Sequence, residues 1–449
     1  MDDPQPLPAG PNDPPPARKA ALAFIFVTVA LDILALGIIL PVLTPLILGM
    51  VGGSEGMAAW YIFVFGTSWN AMQFVAGPLL GALSDRFGRR PVVLLSNFGL
   101  GLDYVVMALA PTPAWLFLGR VLSGFTAGSI PTAYAYIADV TPPERRAASF
   151  GTVGAAFAAG FVVGPALGGV LGQIDLRLPF WVSAALSLAN ACYGLFVLPE
   201  SLPPARRTPF AWRRANPVAA LGFLRTHREL YGLAAVLVLF YLAHEVFPSV
   251  YVLYFISRFE FSPRTVSFLL GTAGVCSALT QTVLIRRVLA RVGERGAILA
   301  GSVCGAAGFA LYGLATRPWL VWLAVPLCSL WGLASPPTQA IMSRRVSPTE
   351  QGRLQGAIGS LRGVVGMAGP GLFTAALGTF AARGWAEGHG VRLPGAPFLL
   401  SGVLVLAGLV VVWAVTRPRE GQAAVLPAGT PNVPGAPENA PTGFTSEVS

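Results

Sequence analysis

Residues 81 to 90 read Gly81-Ala-Leu-Ser-Asp85-Arg86-Phe-Gly88-Arg89-Arg90, four charges within ten residues in a chain of which only 11% is charged. The stretch lies between two apolar runs, near 58 to 83 and 91 to 110, each longer than the roughly 18 residues that mark a membrane-spanning candidate. It is therefore a short connection between two membrane helices. Gly88 permits a tight turn, and Asp85, at the end of one helix, can pair with an arginine or cap the start of the next. A simple stop-transfer loop would account for the arginines but not for Asp85 or the spacing of Gly81 and Gly88.

The composition agrees with that reading. Of the 449 residues, 54% are hydrophobic, whereas a soluble domain averages about 25% charged residues and needs them to cover its surface. Twelve apolar segments follow one another, near 20 to 48, 58 to 83, 91 to 110, 113 to 138, 147 to 173 and 179 to 198, then 230 to 256, 264 to 289, 296 to 315, 319 to 343, 354 to 382 and 395 to 416. The fold class is an all-α polytopic membrane protein. Of the 30 Lys and Arg, 22 lie in the N-terminal tail and the even-numbered junctions, six lie in the odd-numbered ones, and Arg120 and Arg362 lie within spans. The positive-inside rule then places both termini in the cytoplasm. The net charge of +10 records orientation, so no nucleic-acid partner is expected. The four cysteines lie inside apolar runs without metal-ligand spacing and read as small core residues.

The chain repeats itself at an offset of 205 residues. Arg86, Gly88 and Arg90 match Arg291, Gly293 and Arg295; Pro131 matches Pro336; Gly151 and Gly154 match Gly356 and Gly359; Gly164-Pro165 matches Gly369-Pro370. The expected organisation is a tail at 1–19, a six-helix half at 20–198, a basic linker at 199–229, a second half at 230–416 and a tail at 417–449, both tails Pro-rich and disordered.

The 81–90 loop matches every fixed position of the signature Gly-x-Leu-x-Asp-Arg-x-Gly-Arg-Arg and so resembles the major facilitator superfamily. The resemblance implies two pseudo-symmetric halves with a substrate site at mid-membrane between them. It also implies that Gly81, Asp85, Arg86, Gly88, Arg89 and Arg90 latch the cytoplasmic gate when the transporter is open outward. In the fifth span, Gly160-Phe-Val-Val-Gly164-Pro165-Ala-Leu-Gly168-Gly169 is similar to the glycine signature of facilitator antiporters. Glycines at i, i+4 and i+8 form a flat stripe for close helix packing, and Pro165 is expected to bend the helix.

Charges inside spans cost about 2.5–3.5 kcal/mol each at mid-membrane and need a reason. Asp32, Asp103, Arg120, Glu245 and Arg362 are such charges. In a facilitator fold spans 1, 4, 7 and 10 line the cavity, which places Asp32, Arg120 and Glu245 within reach of water and substrate. An Asp32–Arg120 pair that forms in one conformation and separates in another would load and release a proton; the alternative is a permanent salt bridge between spans 1 and 4. Proton coupling is therefore assigned to Asp32, Arg120, Asp103 and Glu245. Asn70, Gln73, Gln281 and Gln339 are expected to make interhelical hydrogen bonds, with Gln73, Gln339 and Asn70 as substrate contacts. Arg362 and His244 join that substrate set, although His244 points about 100° away from Glu245 and also reads as a hydrogen-bonded packing residue.

Further stretches, among them Leu31-Asp32-Ile-Leu-Ala-Leu-Gly37, Asp103-Tyr104, Gly119-Arg120-Val-Leu-Ser-Gly124, Ala135-Tyr-Ile-Ala-Asp139 and Leu198-Pro-Glu-Ser201, resemble the twelve-helix tetracycline/proton antiporters. That resemblance implies a proton-coupled exporter of an amphipathic drug, working in the inner membrane of a bacterium as a monomer. Its partners would be lipid, a small-molecule substrate and protons, with no cofactor, no metal and the proton gradient as energy source. One departure is Gly305, which stands where helix 9 of those exporters has an aspartate important for exchange. An exporter or symporter of an unidentified metabolite is the alternative. An enzyme is not expected, since His227, His244 and His389 lie apart and no HExxH, GxSxG or Walker sequence occurs.

Overall fold

The computed structural model describes residues 16–141, 143–210, 216–346, 351–381 and 393–416. Most of the expected N-terminal tail, the C-terminal tail and residues 211–215 of the linker lie outside the described residues. The first half consists of α1 (Pro16–Met50), α2 (Glu55–Phe87), α3 (Arg89–Leu109), α4 (Pro113–Thr126), α5 (Ser129–Val140), α6 (Pro143–Ile174) and α7 (Leu178–Val197). The linker contributes α8 (Pro217–Thr226). The second half consists of α9 (Tyr231–His244), α10 (Val246–Phe259), α11 (Pro263–Leu279), α12 (Ile285–Leu314), α13 (Pro318–Ser329), α14 (Ser335–Arg344), α15 (Gln351–Ala381) and α16 (Ala396–Val415).

Among the described residues, eight helical stretches are long and apolar enough to cross a membrane, and one of them, Pro263–Leu314, turns at Gly293 (φ 68°) and supplies spans 8 and 9. Every backbone group inside a bilayer must be satisfied within the protein, which is why the apolar runs become helices. Their outer faces carry Leu102, Leu109, Trp115, Leu118 and Phe196, all exposed, as a surface against hydrocarbon requires.

Spans 4, 7 and 10 are each interrupted. Span 4 breaks between α4 and α5 at Ala127-Gly128, span 7 at Glu245 between α9 and α10, and span 10 through a 3₁₀ turn at Leu330–Leu333. A proline has no N–H for the carbonyl four residues before it. Pro131 leaves Ala127 unpaired in this way, Pro248 leaves His244, and Pro336 and Pro337 leave Gly332 and Leu333, so each break falls where the ladder loses its rung. At the 205-residue offset Ala127 and Gly128 fall on Gly332 and Leu333; the two halves are interrupted at the same place. Pro165, by contrast, leaves α6 continuous.

Helix α6 packs on α1 through the glycine stripe. A Cβ on Gly37 would lie 3.0 Å from the Gly164 Cα and 3.1 Å from the Gly160 carbonyl, and one on Gly168 would strike the Ile38 carbonyl. Gly169, one residue on, instead faces Ser267 and Pro263 of α11, so α6 lies between its own half and the other.

Two seams join the halves. Along α2 and α15, Gly66 meets Pro370, Phe63 meets Gly371, Asn70 meets Gly366, Phe74 meets Gly363, and the Thr67 hydroxyl donates to the Met367 carbonyl at 3.0 Å. Along α6 and α11, Val162 meets Gly271 and Gly274. Both seams are tight away from the end that carries the 81–90 loop. Toward that basic end Gly77, Gly81 and Gly359 have nothing within 4 Å.

These contacts predict opposite effects from one kind of change. In purified protein, Gly164→Ala lowers the thermal unfolding midpoint, because the new methyl meets backbone that cannot yield, at a cost of about 1–3 kcal/mol. Gly77→Ala leaves the midpoint unchanged or raises it, since it adds only helix propensity, worth about 0.5–1 kcal/mol.

Candidate functional site

Three groups of side chains carry the polar chemistry, and the first is buried in the first half. Asp103 of α3 is 0% exposed and accepts a hydrogen bond from the Arg120 guanidinium of α4 at 3.0 Å. Helices α3 and α4 form an antiparallel hairpin, and residues 17 apart across its turn come to the same depth. Arg120 also lies 3.0 Å from the Met107 sulfur, while its Nε and the second Asp103 oxygen have no partner among the described residues. Gly119 is glycine because any side chain there would overlap Asp103.

The expected pairing of Asp32 with Arg120 is not made in this conformation. Arg120 is committed to Asp103, its neighbour in the hairpin, and Asp32 on α1 makes no ion pair with it. Asp32 is buried at 5% exposure, and neither carboxylate oxygen has a hydrogen-bond partner among the described residues. The polar side chains facing it are Ser129, the first residue of the half-helix α5, and Asn190 of α7. Asn190 is itself held by Thr28, whose hydroxyl donates to it at 3.2 Å. A half-helix start carries a partial positive charge, and Ser129 stands at one such start. Tyr104, also buried, is within electrostatic range of Asp32, Asp103 and Arg120.

The second group is in the second half. Glu245 sits at the α9–α10 joint against Gly369 of α15, and Arg362 of α15 lies over the Tyr241 ring at 5.9 Å. His244 is exposed, with its ring 5.4 Å from Phe247 and 6.3 Å from Trp331. It has ring contacts where a hydrogen-bonded packing role was expected. Gln73 and Gln339 are half-buried in α2 and α14. The expected interhelical bonds of Asn70 and Gln339 are instead made one turn away within the same helix, Asn70 to the Gly66 carbonyl at 2.9 Å and Gln339 to the Ser335 hydroxyl at 3.3 Å. An amide one turn from an acceptor satisfies itself locally without fixing a neighbour.

The third group is the basic end. Gly88 has φ 109°, a conformation that excludes most side chains, and Gly293, its match in the repeat, has φ 68°. Arg89 donates to Asp85 at 2.5 Å, Ser84 at 3.1 Å and Asp139 of α5 at 2.9 Å. Arg86 lies over the Phe87 ring, and Arg90 donates to the Leu195 carbonyl at 2.6 Å. Glu200, at the start of the linker, accepts the backbone N–H groups of Arg89 at 2.8 Å and Arg90 at 3.3 Å, the open donors at the head of α3. Asp85 pairs, and Glu200 does the capping. In the second half Arg344 clasps Glu294 through both guanidinium nitrogens. At the 205-residue offset Arg89 falls on Glu294 and Asp139 on Arg344, so the two halves carry the same ion pair with its polarity reversed. Glu200, Asp139, Glu294, Arg344, Ser129 and Asn190 were not singled out from sequence as site residues. The repeat, read at positions that differ in sign as well as at identities, would have found the reversed pair.

Residues 25–370 match the family model of the Major Facilitator Superfamily. The chain is 36% identical over 386 residues to the tetracycline resistance protein, class C, of Escherichia coli, covering 85% of this chain and 97% of that protein. It is 35% identical over 368 residues to the class G protein of Vibrio anguillarum, covering 80% and 90%. Among solved structures, the human organic anion transporter MFSD10 (TETRAN) superimposes with a TM-score of 0.66 at 24% identity, covering 89% of this chain and all of that one. The chain belongs to the major facilitator superfamily: it is a multi-pass membrane transporter, homologous to tetracycline resistance proteins and not an enzyme.

The buried pair gives a stability prediction. Arg120→Gln strands the Asp103 charge and destabilises the purified protein by about 3–5 kcal/mol. Adding Asp103→Asn restores most of the loss, as read from thermal unfolding of the single and double variants.

Proposed function

We propose that the chain is a proton-coupled antiporter that exports an amphipathic small molecule, a drug such as tetracycline, by alternating access of the cavity between its two halves. The observation that carries the reading is Asp32, a carboxylate buried at membrane depth with no cation paired to it among the described residues, faced by the Ser129 hydroxyl at a helix break and by the Asn190 amide. The Asp103–Arg120 pair next to it stays closed and holds α3 and α4 in register. The relatives at 35–36% identity are tetracycline resistance proteins, which supports export of a drug.

The basic end is cytoplasmic in this reading, with both termini on that side and the protein in the inner membrane of a bacterium. Substrate loads in the state open to the cytoplasm. Energy comes from the proton gradient, with no cofactor, and the monomer is the working unit. Gly81, Asp85, Arg86, Gly88, Arg89 and Arg90 form the gate, tied here within their own half and to the linker.

A metabolite or a different drug as substrate is favoured by Gly305. A Cβ there would lie 2.8 Å from the Trp331 side chain, so Trp331 occupies the space in which an acid at this position would sit.

In everted vesicles with an imposed proton gradient, wild type accumulates labelled tetracycline or a planar cationic drug, and Asp32→Asn inserts normally but accumulates neither. Uptake that persists in Asp32→Asn overturns the role of Asp32. Absence of uptake of any panel compound by inserted wild type overturns drug export.

A further inference from the structure

Glu245 and Arg362 are opposite charges at membrane depth that do not pair with each other. No carboxylate lies within 4.0 Å of Arg362 and no cation within that distance of Glu245 among the described residues, although each is within electrostatic range of the other. Arg362 is exposed and Glu245 partly so. Where charges serve only the fold they close into contact and lose their water, as Asp103 and Arg120 do.

Their spacing is fixed by α15. The Cβ and Cγ of Glu245 lie against Gly369, where an added Cβ would approach both to 2.5 Å. Arg362 is seven residues earlier, about 10 Å along the axis and roughly 20° around it, on the same face of the helix. Tyr241, under the Arg362 guanidinium, precedes Glu245 by one turn of α9. Between the two poles Asn70 lies at Gly366, with its amide nitrogen bonded to Gly66 and its oxygen turned toward α15. One flank is aromatic: His244 beside Phe247 and Trp331, with Trp331 edge-on to Phe240 and Phe309 at 5.7 and 5.3 Å.

We infer that Glu245 and Arg362 are the two poles of a binding site for an amphoteric aromatic molecule, whose protonated amine meets the Glu245 carboxylate, whose acidic oxygen meets the Arg362 guanidinium, and whose flat ring system lies along the Trp331 and His244 rings. This rests on the transport reading for its purpose and names the substrate class of that site. The two charges are not in contact here, so a ligand carrying both signs completes each. A purely cationic or anionic ligand leaves one pole uncompensated. Arg362 suits an acidic oxygen because its planar fork offers several donors.

The test is equilibrium binding to the purified full chain without a gradient, by quenching of tryptophan fluorescence. The probes are norfloxacin, whose amine and carboxylate sit at opposite ends of one flat ring system, its N-acetyl derivative, which keeps only the acid, and its decarboxylated derivative, which keeps only the amine. Wild type binds norfloxacin about tenfold or more tighter than either derivative, as each charge-assisted contact is worth that much. Glu245→Gln reduces norfloxacin to the level of the acid-only probe and leaves that probe unchanged. Arg362→Gln reduces it to the level of the amine-only probe and leaves that one unchanged. Glu245→Asp and Arg362→Lys keep the wild-type order, which separates loss of charge from misfolding. Equal binding of the three probes by wild type, no binding of any, or variants that weaken all three alike overturns the site. Because no gradient is used, a chain that shows the predicted pattern yet moves no drug in vesicles overturns the export reading and leaves the site standing.

Discussion

A charge at the depth of a bilayer has to be paired, hydrated or neutralised, and the membrane-depth charges of this chain divide along those lines. Asp103 and Arg120 are paired and dry. Glu245 and Arg362 are apart and accessible. Asp32 is buried without a counter-charge among the described residues. Much of the surrounding architecture serves to hold these conditions. Gly160, Gly164 and Gly168 bring α6 against α1 and so fix the height and rotation at which Asp32 faces the start of α5. Gly369 does the corresponding work in the second half, where it gives Glu245 its place.

The helix breaks follow from the same economy of backbone hydrogen bonds. A proline in a membrane helix frees a carbonyl and invites an interruption, and the interrupted spans 4 and 7 put Ser129 and Glu245 at the ends of half-helices. Discontinuous helices offer partial charges and free backbone groups where continuous ones offer none. The 205-residue repeat carries this device into both halves, and with it the turn glycines Gly88 and Gly293. The repeat is not faithful in sign. Reversal of the Arg89–Asp139 pair into Glu294–Arg344 gives equivalent positions of the two halves opposite charges.

The fold was legible because membrane spans announce themselves by length and hydropathy, and because turns that need positive φ demand glycine. The Gly-x-x-x-Gly stripe was legible for the same steric reason. Pairing was less so. A sequence gives the depth of a charge along its span but not which neighbour it faces, and the contact of Arg120 with Asp103 across the α3–α4 hairpin was not legible from it. Asn70 and Gln339 looked like interhelical glue because composition does not show that an acceptor lies one turn away. Glu200 was invisible as a cap because 111 residues separate it from Arg89, and nothing local marks a linker carboxylate as the partner of a distant helix start.

The central claim is that Asp32 carries the proton exchanged for drug. It is tested most directly by adding drug to purified protein in lightly buffered solution and following the pH with an indicator dye. The account predicts that wild type releases protons as drug binds and that Asp32→Asn binds drug without releasing any. Release of equal size from both proteins would contradict it and place the exchanged proton on another group.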